Sequence, residues 1–144
     1  MEKQDMGQIL VKAKIENIKD LLSVKDGLQK PEQVRSVEVD DALVDMGAKL
    51  LSLPKRLVQQ LGLEHFDTRP ARTSAGTVPC EIYRAVWLTI AGRQCTVDVA
   101  EVPDECPVLI GYVPLELLDF VVDPVNQRLI GNPQHGGQNV LDLF

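Results

Sequence analysis

The sequence has few cysteines and histidines, too few and too scattered for a metal centre or a disulfide framework. Cys80, Cys95 and Cys106 include no Cys-x-x-Cys pair, and three is an odd number for disulfide pairing. Only His65 and His135 are available to complete a metal site with them. We therefore expect no metal, no cofactor and no disulfide, and we expect reduced thiols, as in a reducing compartment.

The chain also lacks long hydrophobic runs and an excess of positive charge. No apolar stretch approaches the roughly 20 residues that cross a bilayer, and the first residues, MEKQDMGQ, are too polar for a secretion signal. The 15 Lys and Arg are outnumbered by 21 Asp and Glu, whereas binding to a nucleic-acid backbone requires clustered cations. We expect a cytoplasmic protein with neither a membrane nor a nucleic acid as partner.

The composition is that of one ordinary folded domain. The chain has 144 residues, of which 44% are hydrophobic and 25% charged, and it contains no low-complexity run. A chain of this length can bury a single large core. We predict one domain over residues 1–144, with its core at about residues 7–131 and a C-terminal tail at residues 132–144.

Alternating apolar and polar residues predict most of the strands. The pattern indicates a strand over residues 9–16, one bent strand or two strands over residues 37–44, and a hairpin over residues 86–99. Further strands are predicted at residues 106–111 and in a hairpin within residues 121–131. The polar residues 67–83, with Gly76 between small residues, predict a projecting hairpin.

Helical signals are short and few. Pro54, Leu57, Val58, Leu61 and then Gly62 predict a helix over about residues 54–61, and a second short helix is predicted to open at Pro114. Residues 17–34 are interpreted as a connection with one helical turn near residues 20–24. About seven strands and two short helices predict a mainly β domain with a closed or nearly closed antiparallel sheet.

One carboxylate directly follows an apolar strand. In the stretch LVDMGA, Asp45 comes after Leu43 and Val44 and precedes Met46, Gly47 and Ala48. A simple turn explains an aspartate near a glycine, because the side chain bonds local backbone and glycine accepts positive φ. A functional interpretation gains support from the later elements of the chain. A polar hairpin, an apolar hairpin and then the stretch VLIG before a short helix come in that order.

This order of parts resembles one lobe of the aspartic proteases, specifically the retroviral-type (retropepsin-like) proteases and their bacterial and cellular relatives. The resemblance covers about residues 37–131. The family motif is Asp-Thr/Ser-Gly-Ala after apolar residues, and LVDMGA matches it at all but one position. Leu109, Ile110 and Gly111 match the second signature, whose strand passes beside the Asp loop. The resemblance implies a closed, antiparallel, β-barrel-like acid-protease lobe with two short helices.

The resemblance also implies an aspartic-type endopeptidase. In this family two aspartates share one proton and hold the attacking water, because two carboxylate charges about 3 Å apart cannot both persist. The sequence contains one copy of each motif, so the resemblance implies a homodimer in which Asp45 of each chain meets on the twofold axis. Ala75, Gly76 and Thr77 would form the tip of a flap over a peptide or polypeptide substrate. An ordinary exposed hairpin is an equal alternative for these three residues.

Met46 is the departure from the family motif. The family's Thr or Ser at this position bonds the opposing loop across the dimer axis, and a thioether donates no hydrogen bond. A second hypothesis therefore stays open, in which a catalytically impaired, protease-like dimer binds peptides or assists assembly. Asp98, which lies inside an apolar strand, is an alternative functional acid, although a solvent-facing strand residue explains it more simply.

Overall fold

The computed structural model describes residues 8–143, and strands dominate this part of the chain. The predicted start of the core at residue 7 and the polar segment before it lie outside the described residues, as does Phe144 of the predicted tail. The nine strands within residues 8–143 are β1 (Leu10–Asn17), β2 (Ser36–Val44), β3 (Leu51–Pro54), β4 (Glu64–Thr73), β5 (Gly76–Ile90), β6 (Arg93–Val102), β7 (Leu109–Ile110), β8 (Phe120–Asp123) and β9 (Arg128–Gly131). The helices are α1 (Ile18–Lys25), α2 (Lys55–Gln60) and α3 (Tyr112–Leu117), with 3-10 turns at Pro31–Gln33 and Pro133–His135.

Six strands pair in a closed ring. Their order is β1-β2-β7-β3-β6-β5, and the ring closes because β5 also pairs with β1. Strand β4 pairs with the first half of β5, outside the ring, while β8 and β9 form a separate two-stranded sheet. The prediction of a mainly β domain with a closed sheet is confirmed.

Two details of the predicted sheet are wrong. Strands β2 and β7 run parallel, as do β3 and β6, so the sheet is mixed and not antiparallel. The described residues also contain three α-helices instead of two. Both parallel pairs join strands that are far apart in the sequence, and the alternation pattern of a single strand gives no signal for the direction of such a partner.

The core lies inside the ring and follows the predicted alternation. One face of β5 and the facing residues of β6 are buried, which confirms the predicted parity of this hairpin. These residues are Val86, Leu88, Ile90, Cys95, Val97 and Val99. Burial of a Val, Leu or Ile side chain stabilises the fold by about 1.5–3 kcal/mol, so the ring is held mainly by this apolar interior.

Strand β3 and helix α2 form one buried corner. Strand β3 was not predicted, because all four of its residues are buried and therefore show no alternation. Helix α2 follows at once and buries Leu57 and Val58 against the core. It ends at Gln60 with Leu61 as its C-cap, and Gly62 follows with φ +63, a left-handed conformation that glycine adopts readily after a helix.

Residues 18–35 leave the sheet and return beside their starting point. The N–H of Asn17 donates to the carbonyl of Arg35 (3.0 Å), and the Asn17 side chain caps α1 by accepting from the N–H of Asp20. The predicted helical turn is confirmed, and it extends into the full helix α1. The Arg35 guanidinium binds both oxygens of Asp20 at 2.8 and 2.9 Å, which lowers the pKa of that carboxyl to about 2. None of the helices in residues 8–143 is long and apolar enough to span a bilayer.

Candidate active site

Asp45 lies where β2 leaves the sheet. Leu43 and Val44 pair with Leu109 and Ile110 of β7, and the next backbone N–H, that of Asp45, donates to the Ile110 carbonyl at 3.0 Å. The last two residues of β2 thus fix where the Asp45 backbone lies. The Asp45 residue itself is half-buried, so its carboxylate is positioned by the sheet and still reaches solvent.

The turn after Asp45 binds the carboxylate from its own backbone. The N–H of Gly47 donates to Asp45 Oδ1 at 2.9 Å, and the N–H of Ala48 donates to the Asp45 carbonyl at 3.1 Å. The simple turn explanation is confirmed in one part, because the carboxylate bonds local backbone, and wrong in the other, because Gly47 does not adopt positive φ. A Cβ at Gly47 would lie 3.2 Å from Asp45 Oδ1, so glycine keeps space beside the carboxylate.

The start of helix α3 is hydrogen-bonded to the other side of this loop. Three consecutive N–H groups, those of Gly111, Tyr112 and Val113, donate to the carbonyls of Leu50, Ala48 and Lys49, each at 3.0 Å. The first N–H groups of a helix have no partner within the helix, so the loop satisfies them. The Asp45 loop and the start of α3 therefore form one hydrogen-bonded unit.

Gly111 makes this close approach possible. A Cβ at this position would lie 2.5 Å from the Leu50 carbonyl oxygen and 2.6 Å from the Ala48 carbonyl oxygen. Real Cβ atoms do not come this close to backbone atoms. The structure therefore brings together Asp45, Gly47 and Ala48 from the first motif with Ile110 and Gly111 from the second.

Met46 lies at the exposed edge of the loop. The residue is 54% exposed. The thioether can offer only a weak acceptor, so nothing at this position replaces the hydroxyl of the family motif.

The predicted flap is a long two-stranded ribbon. Strands β4 and β5 are joined by a two-residue turn, Ser74 and Ala75, and the closing pair is Thr73 with Gly76. Gly76 has φ +108, and Ala75, Gly76 and Thr77 are all exposed. No hydrogen bond joins these tip residues to the Asp45 loop in residues 8–143.

Two other groups with reactive chemistry, Asp98 and Cys95, are respectively paired and buried. Asp98 lies 3.0 Å from the Arg84 guanidinium in an ion pair at the surface. Burial raises the pKa of the Cys95 thiol to about 11, so this cysteine stays protonated. In the part of the chain that the structure describes, no three His, Cys, Asp or Glu side chains are grouped so as to hold a metal ion.

Sequence reasoning missed the backbone carbonyls of Ala48, Lys49 and Leu50 as part of the site. They accept from the start of α3, but carbonyl groups are common to all residues and leave no mark in the sequence. The only signal is positional, since these residues follow the Asp-x-Gly-Ala motif directly.

Comparison with known families agrees with this geometry. A family model described as aspartyl protease matches residues 31–113, more than half of the chain. The matched segment includes the Asp45 loop, the ribbon of β4 and β5, and Gly111. A search of curated proteins gave no significant match. The chain belongs to the aspartyl protease family, in its retropepsin-like branch.

Proposed function

We propose that the protein is an aspartic endopeptidase whose active site forms when two copies pair with their Asp45 loops facing each other. The supporting observation is the hydrogen-bonded unit of the Asp45 loop and the start of α3. It holds one carboxylate in a half-buried position at the end of a strand, with one oxygen bound by a backbone N–H. Such a fixed carboxylate suits a reaction that depends on precise placement of a water molecule.

The requirement for two carboxylates supports the homodimer. The sequence has a single Asp-x-Gly-Ala and a single apolar pair before glycine. A twofold interface joins the same surface of both subunits and would bring Asp45 of one protomer against that of its partner. Two such groups at close range share one proton, so one is ionised and the other protonated.

This shared proton supplies both roles that peptide hydrolysis requires. The ionised Asp45 would take a proton from the water held between the pair, and the protonated one would donate to the carbonyl oxygen of the peptide. The water oxygen then attacks the carbonyl carbon, and the pair returns a proton to the leaving amine. Because the two groups titrate as a pair, activity is expected to peak on the acid side and to fall when both ionise.

Met46 supports a second candidate function, a dimeric peptide-binding or assembly module without turnover. Met46, a residue that is 54% exposed, occupies the place of the hydroxyl that ties the two loops together in the family. If no other contact replaces that bond, the two carboxylates lie slightly out of register. A misplacement of about 1 Å can lower the rate roughly 100-fold.

Hydrolysis of an unfolded protein between about pH 4 and pH 7 distinguishes the two candidates. We expect cleavage by the natural chain and a loss of at least about 100-fold in Asp45→Asn, the lower end of what a general acid–base group contributes. Met46→Thr is expected to raise the rate. The matched control is Asp98→Asn, which removes a carboxylate in an ion pair elsewhere and should leave the rate unchanged.

Two results would contradict the proposal. Hydrolysis that survives Asp45→Asn would show that this carboxylate does not carry the reaction. No hydrolysis at any pH, even with Met46→Thr, would instead favour the binding module.

A further inference from the structure

The end of the chain is held by a buried carboxylate that the proposed reaction does not use. Asp119, in the turn between α3 and β8, is only 8% exposed and has φ +60, which is left-handed backbone. Its carboxylate accepts from Asn132 Nδ2 (3.1 Å), from His135 Nδ1 (2.7 Å) and from the N–H of Val140 (3.1 Å). A non-glycine residue in this conformation is strained, and these contacts offset the strain.

Arg93, on β6, holds the same turn between α3 and β8. Its guanidinium donates to the carbonyls of Leu118, Asp119 and Gly137, and it lies over the Phe120 ring at 4.6 Å. All of these acceptors are backbone carbonyls. Arg93 therefore fixes the backbone on both sides of this turn and leaves the Asp119 carboxylate to the C-terminal segment.

His135 connects Asp119 to the last described residues. Its Nδ1 lies 2.7 Å from Asp119 Oδ2 and its Nε2 lies 2.8 Å from Asp142 Oδ2, while the side chain is 16% exposed. A neutral imidazole has one N–H and would face one of the carboxylates with a lone pair. Only the protonated ring can donate to both carboxylates at once.

We propose that residues 138–143 form a pH-gated strap, in which protonated His135 holds Asp142 and loss of that proton frees residues 141–143. Val140 stays bound to Asp119 in both states, because its contact is a backbone N–H that does not titrate. The charged groups that face His135 are Asp119 from the α3–β8 turn and Asp142 from the strap itself, with Arg93 of β6 beside Asp119.

The direction of the switch follows from these charges. The hydrogen bonds that His135 donates to Asp119 and then to Asp142 raise the pKa of His135 above its usual range. A raised pKa in the folded state means that the strap is held below the ordinary histidine value, about 6.5, and is released as the pH rises through the higher folded value. The His135 bond also lowers the pKa of Asp119, so the acceptor is ionised throughout this range.

NMR on the full chain between about pH 5 and pH 9 tests the strap. It measures the backbone order parameters and, on the same samples, the protonation of the His135 imidazole. The order parameters of residues 141–143 should fall from about 0.85, a rigid value, to below about 0.6 at the pH where His135 titrates, while that of Val140 stays high. In His135→Asn, one amide donor can replace Nδ1 but not Nε2, so residues 141–143 should be flexible at every pH. His65→Asn, which removes the other histidine, is the matched control and should leave the transition in place.

Asp142→Asn gives the sharpest comparison, because it changes an exposed side chain and should not disturb folding. An amide at this position can donate to the neutral ring, so the alkaline release should disappear or weaken. The proposal would be overturned if the order parameters of residues 141–143 stayed constant, at either the rigid or the flexible value, while wild-type His135 titrates. So would an unchanged release in Asp142→Asn.

Discussion

At the scale of single residues, Gly111 determines how closely the Asp45 loop and helix α3 approach each other. Its φ is −81, a value that any residue can adopt, so the backbone conformation does not require glycine. The limited space requires glycine, because the carbonyl oxygens of Leu50 and Ala48 occupy the region where a side chain would begin. Those same carbonyls accept hydrogen bonds from the start of α3, so the loop cannot withdraw without losing them.

Gly111→Ala should therefore damage the site as well as the fold. We expect a loss of about 1–3 kcal/mol in the free energy of unfolding, typical of overpacking, together with a large drop in peptide hydrolysis by the protein that remains folded. Urea unfolding and kcat on the same samples measure the two effects. Gly131→Ala, at the end of β9, is the matched control. A Cβ there would also meet backbone, that of Gly137, but not the Asp45 loop.

The control decides what the first variant means. Both variants should lose stability, but only Gly111→Ala should lose activity per folded molecule. Equal activity losses in the two variants would show that general destabilisation, and not the geometry of the loop, accounts for the effect.

At the scale of elements, the ribbon of β4 and β5 is the part of the molecule best suited to move. Residues 76–81 of β5 pair with β4 alone, and an isolated pair of strands is only marginally stable. Pairing shifts register at the base of the ribbon, between His65 and Asp67 on β4 and between Tyr83 and Val86 on β5. Such irregularities bend a strand, so they mark where the ribbon leaves the ring.

Gly76→Ala tests whether the tip of this ribbon acts on substrate. An alanine at φ +108 is strained whatever space surrounds it, so the turn must change shape. We expect kcat/KM for a peptide substrate to fall several-fold, whereas global stability changes by less than about 1 kcal/mol because the tip is exposed. Gly92→Ala is the matched control, because Gly92 also has positive φ and open space, but in the turn between β5 and β6. An equal fall in kcat/KM in both variants would argue against a flap.

The elements also show what the sequence can and cannot predict. The hairpin of β5 and β6 was predictable, because one face is buried and the other exposed. Apolar and polar residues therefore alternate along both strands. Strand β3 was not predictable, because its four residues are all buried and too few to show a period. Strand β7 lies within the strand predicted at residues 106–111, but no local pattern indicates that it pairs in parallel with β2. At the site, the two motifs identified Asp45 and Gly111, but the contacts of Asp119 depend on tertiary structure and leave no local pattern.

At the scale of the whole molecule, the described residues supply one Asp45 carboxylate, whereas the proposed reaction requires two. The ring of six strands encloses one core, and a single Asp45 loop lies at the end of β2. A chain with a second lobe would repeat both motifs, and this sequence contains each of them once. In the proposed homodimer the activity is a property of two chains, so it should depend in a defined way on which chains are paired.

Mixing the natural chain with Asp45→Asn at constant total concentration tests this consequence. If each site takes one Asp45 from each protomer, only pairs of two natural chains are active, and random pairing makes activity fall as the square of the natural fraction. An equal mixture should then show about one quarter of the original rate once the subunits have exchanged. The control is the natural chain diluted to the same fraction with an unrelated protein. Its concentration is kept high enough that the dimer does not dissociate. A linear fall to about one half in the mixture would mean that a single chain carries a complete site, and the shared pair of Asp45 carboxylates would have to be abandoned.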